Sequence, residues 1–170
     1  MFLTIFIMKL QVITIPHKTL RNKAKSVDKH DLQKDTMQMF ITNLIETMRK
    51  EDGIGLAAPQ VDHSLRMFVI ATEDGAKVFV NPKILTKSWS KNIDEEGCLS
   101  IPAVYGTVKR SNKVMIKALD RNGESFLLKA NGLLARVIQH ENDHLNGEMF
   151  IDKVIKITKG QDKLDEMLEK

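Results

Sequence analysis

The stretch "QHENDHLNG", residues 139–147, contains two histidines four positions apart, with a glutamate directly after the first. On an α-helix such residues lie on one face, one turn apart, so His140 and His144 can present both imidazoles to one ion. In HExxH sites the glutamate, here Glu141, takes a proton from water. The pattern predicts a hydrolytic metal site, although buried histidines are also commonly held by hydrogen bonds alone.

A metal site of this kind needs a third ligand, because catalytic zinc usually has three protein ligands and one open position. The only cysteine, Cys98, lies in "EEGCLSIP". A lone cysteine is often just a small buried hydrophobe. Here the preceding glycine permits close approach of the backbone, and the Leu99 amide could donate to a bound group. A Cys/His hydrolase remains an alternative, but the HExxH spacing favours a metal.

A third stretch, "GIGLAAPQ" at residues 53–60, is rich in glycine and alanine. Such residues allow the backbone to run close to a ligand or to another strand. The stretch lacks the Lys-Ser/Thr ending of a phosphate-binding loop. A tight turn between a helix and a strand would explain it equally well.

The elements that must position these residues can be inferred from hydrophobic periodicity. Residues 35–50 have helical spacing, and "EDG" ends the helix. The segments "RMFVIAT" and "VFVNPKIL" are typical of strands, and "KVMIKAL" and "SFLLKA" flank "DRNG" as an antiparallel hairpin. Apolar residues then recur at helical spacing from Gly132, with Asn131 as N-cap and Gly147 as the stop. The histidine pair is therefore expected on a largely buried helix.

The order of these elements predicts an α+β fold rather than a doubly wound sheet. We expect antiparallel sheets packed around a central helix that carries HExxH, followed by a C-terminal helix at residues 158–170. The chain has 170 residues, of which 42% are hydrophobic and 28% charged. This composition is typical of a globular protein, and we expect residues 1–170 to form a single catalytic domain.

The net charge of +4 is spread over short groups such as "RNKAK". This favours solubility over a nucleic-acid surface, and we expect no direct readout of bases. A single cysteine requires no oxidising compartment, so the cytoplasm is the expected location. The opening "MFLTIFIM" is too short to span a bilayer. It predicts a first strand or an extension upstream of a start at Met8, and no membrane partner.

Taken together, the three stretches resemble the signature blocks of the peptide deformylases, GxGxAAxQ, EGCLS and QHExDHLxG, in the same order. The resemblance continues through "TLRNKAK", "VYGTVKRSNKV", "ALDRNG" and "MFIDKV", so it covers at least residues 13–154. No long insertion separates the first two blocks, which is similar to the short bacterial or organellar type.

The resemblance implies roles for individual residues. The ligands of the ion would be Cys98, His140 and His144. Glu141 would act as general base and then as general acid. The Gln60 side chain and the Leu99 amide would polarise the formyl oxygen.

The same resemblance implies how a peptide is held. The Gly55 backbone would align it as an additional strand. A pocket for the methionine side chain would be lined by Ile54, Leu133, Val137 and the His140 ring. Val137 stands where relatives often carry a second cysteine, and Tyr105 stands near a position that is arginine in some of them.

The implied substrate is the N-formyl-methionine end of a nascent polypeptide, hydrolysed to formate and a free amine. One thiolate and two imidazoles suit Fe²⁺ and Zn²⁺ alike, and the resemblance favours Fe²⁺. The resemblance also implies that Arg110 pairs with Glu96, with a surface role as the alternative. The ribosome is left open as a further partner.

Two other functions compete with this interpretation. A zinc peptidase built on the same helix would need a downstream ligand, and only acids such as Glu148 and Asp152 follow His144. A catalytically silent, metal-stabilised, ribosome-associated binding protein would have no chemical need for Glu141 or Gln60.

Overall fold

The helices and strands follow the periodicity of the sequence in most places. The computed structural model describes residues 7–169. Its helices are α1 (Lys29–Leu32), α2 (Asp35–Lys50), α3 (Gly132–His144) and α4 (Gln161–Leu168). Its strands are β1 (Gly55–Ala57), β2 (Met67–Thr72), β3 (Gly75–Lys87), β4 (Lys91–Cys98), β5 (Ile101–Ser111), β6 (Lys113–Leu119), β7 (Ser125–Asn131) and β8 (Val154–Lys159).

The larger sheet has the strand order β1-β2-β3-β6-β7, and all of its neighbours are antiparallel. The predicted hairpin is confirmed, because β6 pairs with β7 from Lys113–Asn131 to Leu119–Ser125. One face of this sheet packs against α3 through buried Phe68, Phe79 and Ile138. Burial of these side chains fixes the helix on the sheet.

The smaller sheet has the order β4-β5-β8, also antiparallel. Ile101, Val108 and Phe150 form its buried core. Helix α3 contacts strands of both sheets. The α+β prediction, with antiparallel sheets around the helix that carries HExxH, is confirmed.

The ends of the chain correct two boundaries. Thr158 and Lys159 were predicted as helix but belong to β8, which pairs with β5. Helix α4 begins only after Gly160, whose φ of 80° turns the chain out of the strand. Residues 1–6 of the predicted first strand lie outside the described residues, and Ile7 and Met8 have no regular structure. Among residues 7–169, no helix combines the length and apolar character needed to cross a membrane.

Candidate active site

Helix α3 and the end of β4 bring three ligand-type atoms together. The Nε2 atoms of His140 and His144 are 3.3 Å apart. The Cys98 Sγ atom lies 3.3 Å from the His144 Nε2 atom. All three donor atoms lie within 4.8 Å of one another. The two histidines of "QHENDHLNG" and the lone cysteine thus belong to one cluster.

The cluster fits a metal ion better than it fits a purely hydrogen-bonded core. Ligand bonds of about 2.0 to 2.3 Å in tetrahedral geometry place neighbouring donor atoms about 3.3 to 3.7 Å apart. The distances from His144 Nε2 to His140 Nε2 and to Cys98 Sγ, both 3.3 Å, satisfy this spacing. Three donor atoms this close together repel one another unless they share a proton or bind a cation. A set of one thiolate and two imidazoles suits Fe²⁺ or Zn²⁺.

The ring of His140 is oriented by Glu96 on β4. The His140 Nδ1–H group donates to Glu96 Oε2 at 2.9 Å, which leaves the Nε2 atom directed at the cluster. Burial alone would raise the pKa of Glu96. Its hydrogen bonds with His140 and Arg110, together with their charges, outweigh burial and hold the pKa well below its usual range. Glu96 is therefore a stable anion beneath the histidine.

The two histidines differ in their protonation. Burial alone would lower the pKa of His140, but hydrogen bonds with Cys98 and Glu96 outweigh it and raise the pKa to about 10. An ion bound by His140 would displace the proton on its Nε2 atom. Burial lowers the pKa of His144 well below its usual value, and the charge of His140 lowers it further. His144 is therefore a neutral imidazole, the form that binds a metal.

Two arginines hold Glu96 in place. Arg110 donates to both carboxylate oxygens of Glu96 at 2.9 Å, so the predicted Arg110–Glu96 pair is confirmed and is buried. Arg110 also pairs with Asp143 of α3. Arg136 donates to Glu96 at 2.6 Å and to the Val108 carbonyl at 3.0 Å. The network joins α3 to the β4–β5 hairpin and thereby fixes the histidines relative to Cys98.

The contribution of this network can be tested by removing its central charge. Glu96→Gln leaves the buried Arg136 guanidinium without an anion and leaves Arg110 with Asp143 alone, so we expect a loss of about 4 kcal/mol of unfolding free energy. The adjacent and exposed Glu95→Gln should change it by less than about 0.5 kcal/mol. Denaturant unfolding of both variants measures the difference. Equal, small losses in the two variants would contradict a structural role for the network.

Glu141 lies beside the cluster and close to β1. Burial raises the pKa of Glu141 to about 7, opposed by the charge of His140 and aided by Glu96. Within residues 7–169, its Oε2 atom is buried and has no hydrogen-bond partner. A Cβ on Gly55 would meet the Glu141 carboxyl carbon at 2.9 Å, so only glycine leaves room for this carboxylate.

Gln60 is held so that its amide nitrogen faces the cluster. Its Oε1 atom accepts a hydrogen bond from the Ala57 amide at 2.8 Å. Its Nε2 atom therefore faces Cys98 Sγ at 3.4 Å and Ser100 Oγ at 3.3 Å. Ser100 and Arg136 were not identified from the sequence. Both are common polar residues without a local motif, and only the fold brings them to the site.

A cleft of about 620 Å³ opens over these groups. It is lined by all of the other residues expected to contact substrate, namely Ile54, Gly55, Leu99, Leu133 and Val137. Tyr105 lies on the β5 side of the same cleft. The acids that a zinc peptidase would need are engaged elsewhere, since Glu148 pairs with Lys153 and Asp152 pairs with Arg21.

Comparison with known proteins agrees with this geometry. The family model described as polypeptide deformylase matches residues 9–160. The chain belongs to the polypeptide deformylase family. It is 52% identical over 135 residues to peptide deformylase 1 of Clostridium perfringens, which covers 78% of this chain and 89% of that protein. It is 46% identical over 150 residues to the peptide deformylase of Halothermothrix orenii, covering 87% and 95% of the two chains.

Solved deformylase structures share the fold. The crystal structure of a peptide deformylase from Synechococcus elongatus in complex with actinonin matches with a TM-score of 0.82 and 41% identity, covering 94% of this chain and 84% of that one. A class I type b peptide deformylase from Acinetobacter baumannii, bound to Met-Ala-Ser, matches with a TM-score of 0.84 and 34% identity, covering 88% and 100%. This chain is accordingly a deformylase, an enzyme that removes the formyl group from the N-terminus of nascent polypeptides.

Proposed function

We propose that deformylation takes place at one divalent ion held by Cys98, His140 and His144, with Fe²⁺ as the working ion and Zn²⁺ as a substitute. The observation that supports this is the convergence of the three donor atoms within 4.8 Å, beside a buried carboxylate. Such an ion would supply a Lewis acid that polarises the formyl group and lowers the pKa of water from about 16 towards about 7.

Glu141 is the proton carrier in this proposal. Its Oε2 atom makes no hydrogen bond within the described residues and is therefore free to accept a proton from the attacking water. The same carboxyl group then donates that proton to the amine as the bond between carbon and nitrogen breaks. Water is thereby divided between formate and the free amine, and Glu141 returns to its starting form.

Gln60 and Leu99 stabilise the charge that develops on the formyl oxygen. The hydrogen bond from the Ala57 amide fixes the Gln60 side chain with its NH₂ group towards Cys98. The Leu99 amide follows Cys98 directly in the chain and lies at the wall of the cleft. Fixed donors of this kind stabilise the transition state because they require no reorganisation during the reaction.

Gln60→Ala should lower kcat by about 10²- to 10³-fold, the typical cost of losing one such donor, and should leave measurable activity. The exposed Gln11→Ala serves as the matched control and should retain full activity. Steady-state formate release from a formyl-methionyl peptide measures both. Full activity of Gln60→Ala would remove this side chain from the mechanism.

The peptide is bound along β1 with its methionine side chain in an apolar pocket. The Gly55 backbone lies at the edge of the larger sheet, where an extended chain can add as a strand. Ile54, Leu133 and Val137 line the adjoining part of the cleft. The relative from Acinetobacter baumannii, which was solved with Met-Ala-Ser, supports a peptide that begins with methionine as the occupant.

The proposed function is tested by comparing formyl and acetyl peptides of the same sequence. The Glu141 carboxylate and the Gly55 backbone are in close contact, so the cleft leaves little room beyond the carbonyl carbon. We expect hydrolysis of the formyl peptide and none of the acetyl peptide by the same preparation. Comparable rates on the two peptides would contradict a deformylase site.

We also propose that residues 1–170 act as one catalytic domain in the cytoplasm, where nascent chains carry their formyl groups. The lone cysteine, which requires no oxidising compartment, supports this location. The ribosome remains a proposed partner, and deletion of α4 from Gln161 onward followed by ribosome sedimentation tests whether this helix contributes to binding.

A further inference from the structure

The outward surface of strands β3, β6 and β7 carries a group of lysines far from the active site in sequence. The strand register shows which residues share this face. Between β3 and β6, Lys83 lies opposite Lys117. Between β6 and β7, the facing pairs are Lys117–Leu127, Met115–Lys129 and Lys113–Asn131. Between them, Val114, Ile116 and Ala118 turn into the core. We call this surface the lysine face and define it by Lys83, Lys113, Lys117 and Lys129.

The lysine face is uncompensated. Lys83 and Lys117 are direct neighbours across two strands, and like charges in such positions destabilise a sheet. Within residues 7–169, none of its four lysines lies within ion-pair distance of a carboxylate. The repulsion between these lysines lowers the stability of the folded chain. An anionic partner would relieve this repulsion, because it would supply the negative charge that the face lacks.

The only tryptophan of the chain lies at one end of this face. Trp89 is 100% exposed, so it contributes nothing to the core. Its loop is nevertheless well held: the Ser88 amide donates to the Lys113 carbonyl at 2.9 Å, and the Asn112 amide donates to the Ser90 carbonyl at 2.9 Å. The loop therefore holds an exposed aromatic residue one position beyond Ser88, whose backbone pairs with that of Lys113.

We propose that the lysine face and Trp89 together dock single-stranded RNA, with the lysines on phosphates and the indole ring stacked on a base. Surfaces that bind single strands combine a basic track with an aromatic ring, and stacking accepts any base. Lys113 and Lys117 are four residues apart on β6 and therefore about 13 Å apart along the strand, so they can contact different phosphates of one extended backbone. This docking involves no readout of base edges, although the charge pattern of the sequence alone favoured solubility over a nucleic-acid surface.

An anionic membrane is the other partner that lysines and a tryptophan could recognise. The register argues against it, because the exposed Leu127 stands directly beside Lys117 in the plane of the sheet. Inserting this leucine into a bilayer would bring the neighbouring ammonium group close to the hydrocarbon, which is costly. Unpaired RNA offers phosphates to the lysines and bases that can stack on the indole ring.

Because Trp89 is the only tryptophan, its fluorescence reports docking directly. We expect a mixed-sequence 12-nucleotide RNA, titrated into the full-length enzyme at low salt, to quench this fluorescence, with a dissociation constant on the order of 10 µM. A duplex of the same sequence should quench less, because its bases are already stacked. Absence of quenching by the single strand would overturn the proposal, and so would stronger binding to anionic lipid vesicles than to RNA.

Substitutions on and away from the lysine face distinguish binding by this face from a general effect of net charge. Lys117→Gln with Lys129→Gln should lower the slope of log affinity against log salt by about 1.4, at about 0.7 for each lost phosphate contact. Trp89→Ala, followed with a labelled RNA, should weaken binding about 5- to 100-fold. The control pair Lys18→Gln with Lys163→Gln removes the same charge from exposed positions elsewhere and should leave affinity nearly unchanged.

Equal losses in the face variant and in the control pair would overturn the proposal, because the effect would then belong to net charge. Deformylation of a short formyl peptide should be unchanged in all of these variants and confirms that each is folded. Since none of the changed residues lies in the cleft, failure of RNA binding and failure of the proposed catalytic site are distinguishable.

Discussion

Replacing Glu141 with glutamine is expected to lower kcat for formyl-peptide hydrolysis by about 10²- to 10⁴-fold, the usual contribution of general acid–base catalysis. Glutamine has the size of glutamate, so the contact with Gly55 and the packing of α3 should persist. It cannot accept a proton, and the attacking water and the leaving amine would both lose their partner. The three ligand side chains are unchanged, so the purified variant should still contain one ion per chain.

The matched control is Glu124→Gln, which removes the same charge from an exposed position in the turn between β6 and β7. It should retain full turnover. Formate release and metal content are to be measured on the same samples of both variants. A metal-free Glu141→Gln protein would mean that Glu141 is a ligand rather than the base, and the assignment of roles would be wrong.

The second large effect is expected from His144→Ala. This change removes one of the three proposed ligands. Loss of even an outer partner of a ligand typically costs about 10- to 100-fold in metal affinity, so we expect a loss of more than about 100-fold. The imidazole is buried next to Cys98, and within residues 7–169 no histidine beyond His140 and His144 belongs to the cluster. Ion and turnover should therefore disappear together, in contrast to Glu141→Gln.

His30→Ala is the control for this change, because His30 lies exposed on α1. Metal content by elemental analysis, followed by formate release at a fixed ion concentration, compares the two variants. Retention of a stoichiometric ion by His144→Ala would contradict the ligand set. Thermal unfolding of the metal-free proteins shows whether a loss arises from the fold instead.

Much of this site could be predicted because its chemistry is local in sequence. The spacing of His140, Glu141 and His144 depends only on the turn of a helix, and the apolar residues of α3 predict that helix. Helix α2 and the β6–β7 hairpin were predicted for the same reason, since each buries one regular face. The cysteine was predicted as a ligand from its uniqueness and from the glycine before it.

The β4–β5 hairpin that carries Cys98 could not be predicted in the same way. Only one of the eight residues of β4 is buried, and that residue is Glu96, so the strand has no apolar alternation. Its position depends on pairing with β5 and on the ionic contacts of Glu96. Arg136 was missed for a related reason: an arginine in a helix is usually exposed, and its burial depends on partners about 40 residues away.

The central claim is that formyl hydrolysis takes place at one ion held by Cys98, His140 and His144. Its most direct test is to strip the ion from anaerobically prepared enzyme with a chelator, restore Fe²⁺ in steps, and follow formate release from a formyl-methionyl peptide. Formate release should vanish on removal and return in proportion to the bound ion, reaching its maximum at about one ion per chain. Undiminished formate release from the stripped enzyme would contradict the claim.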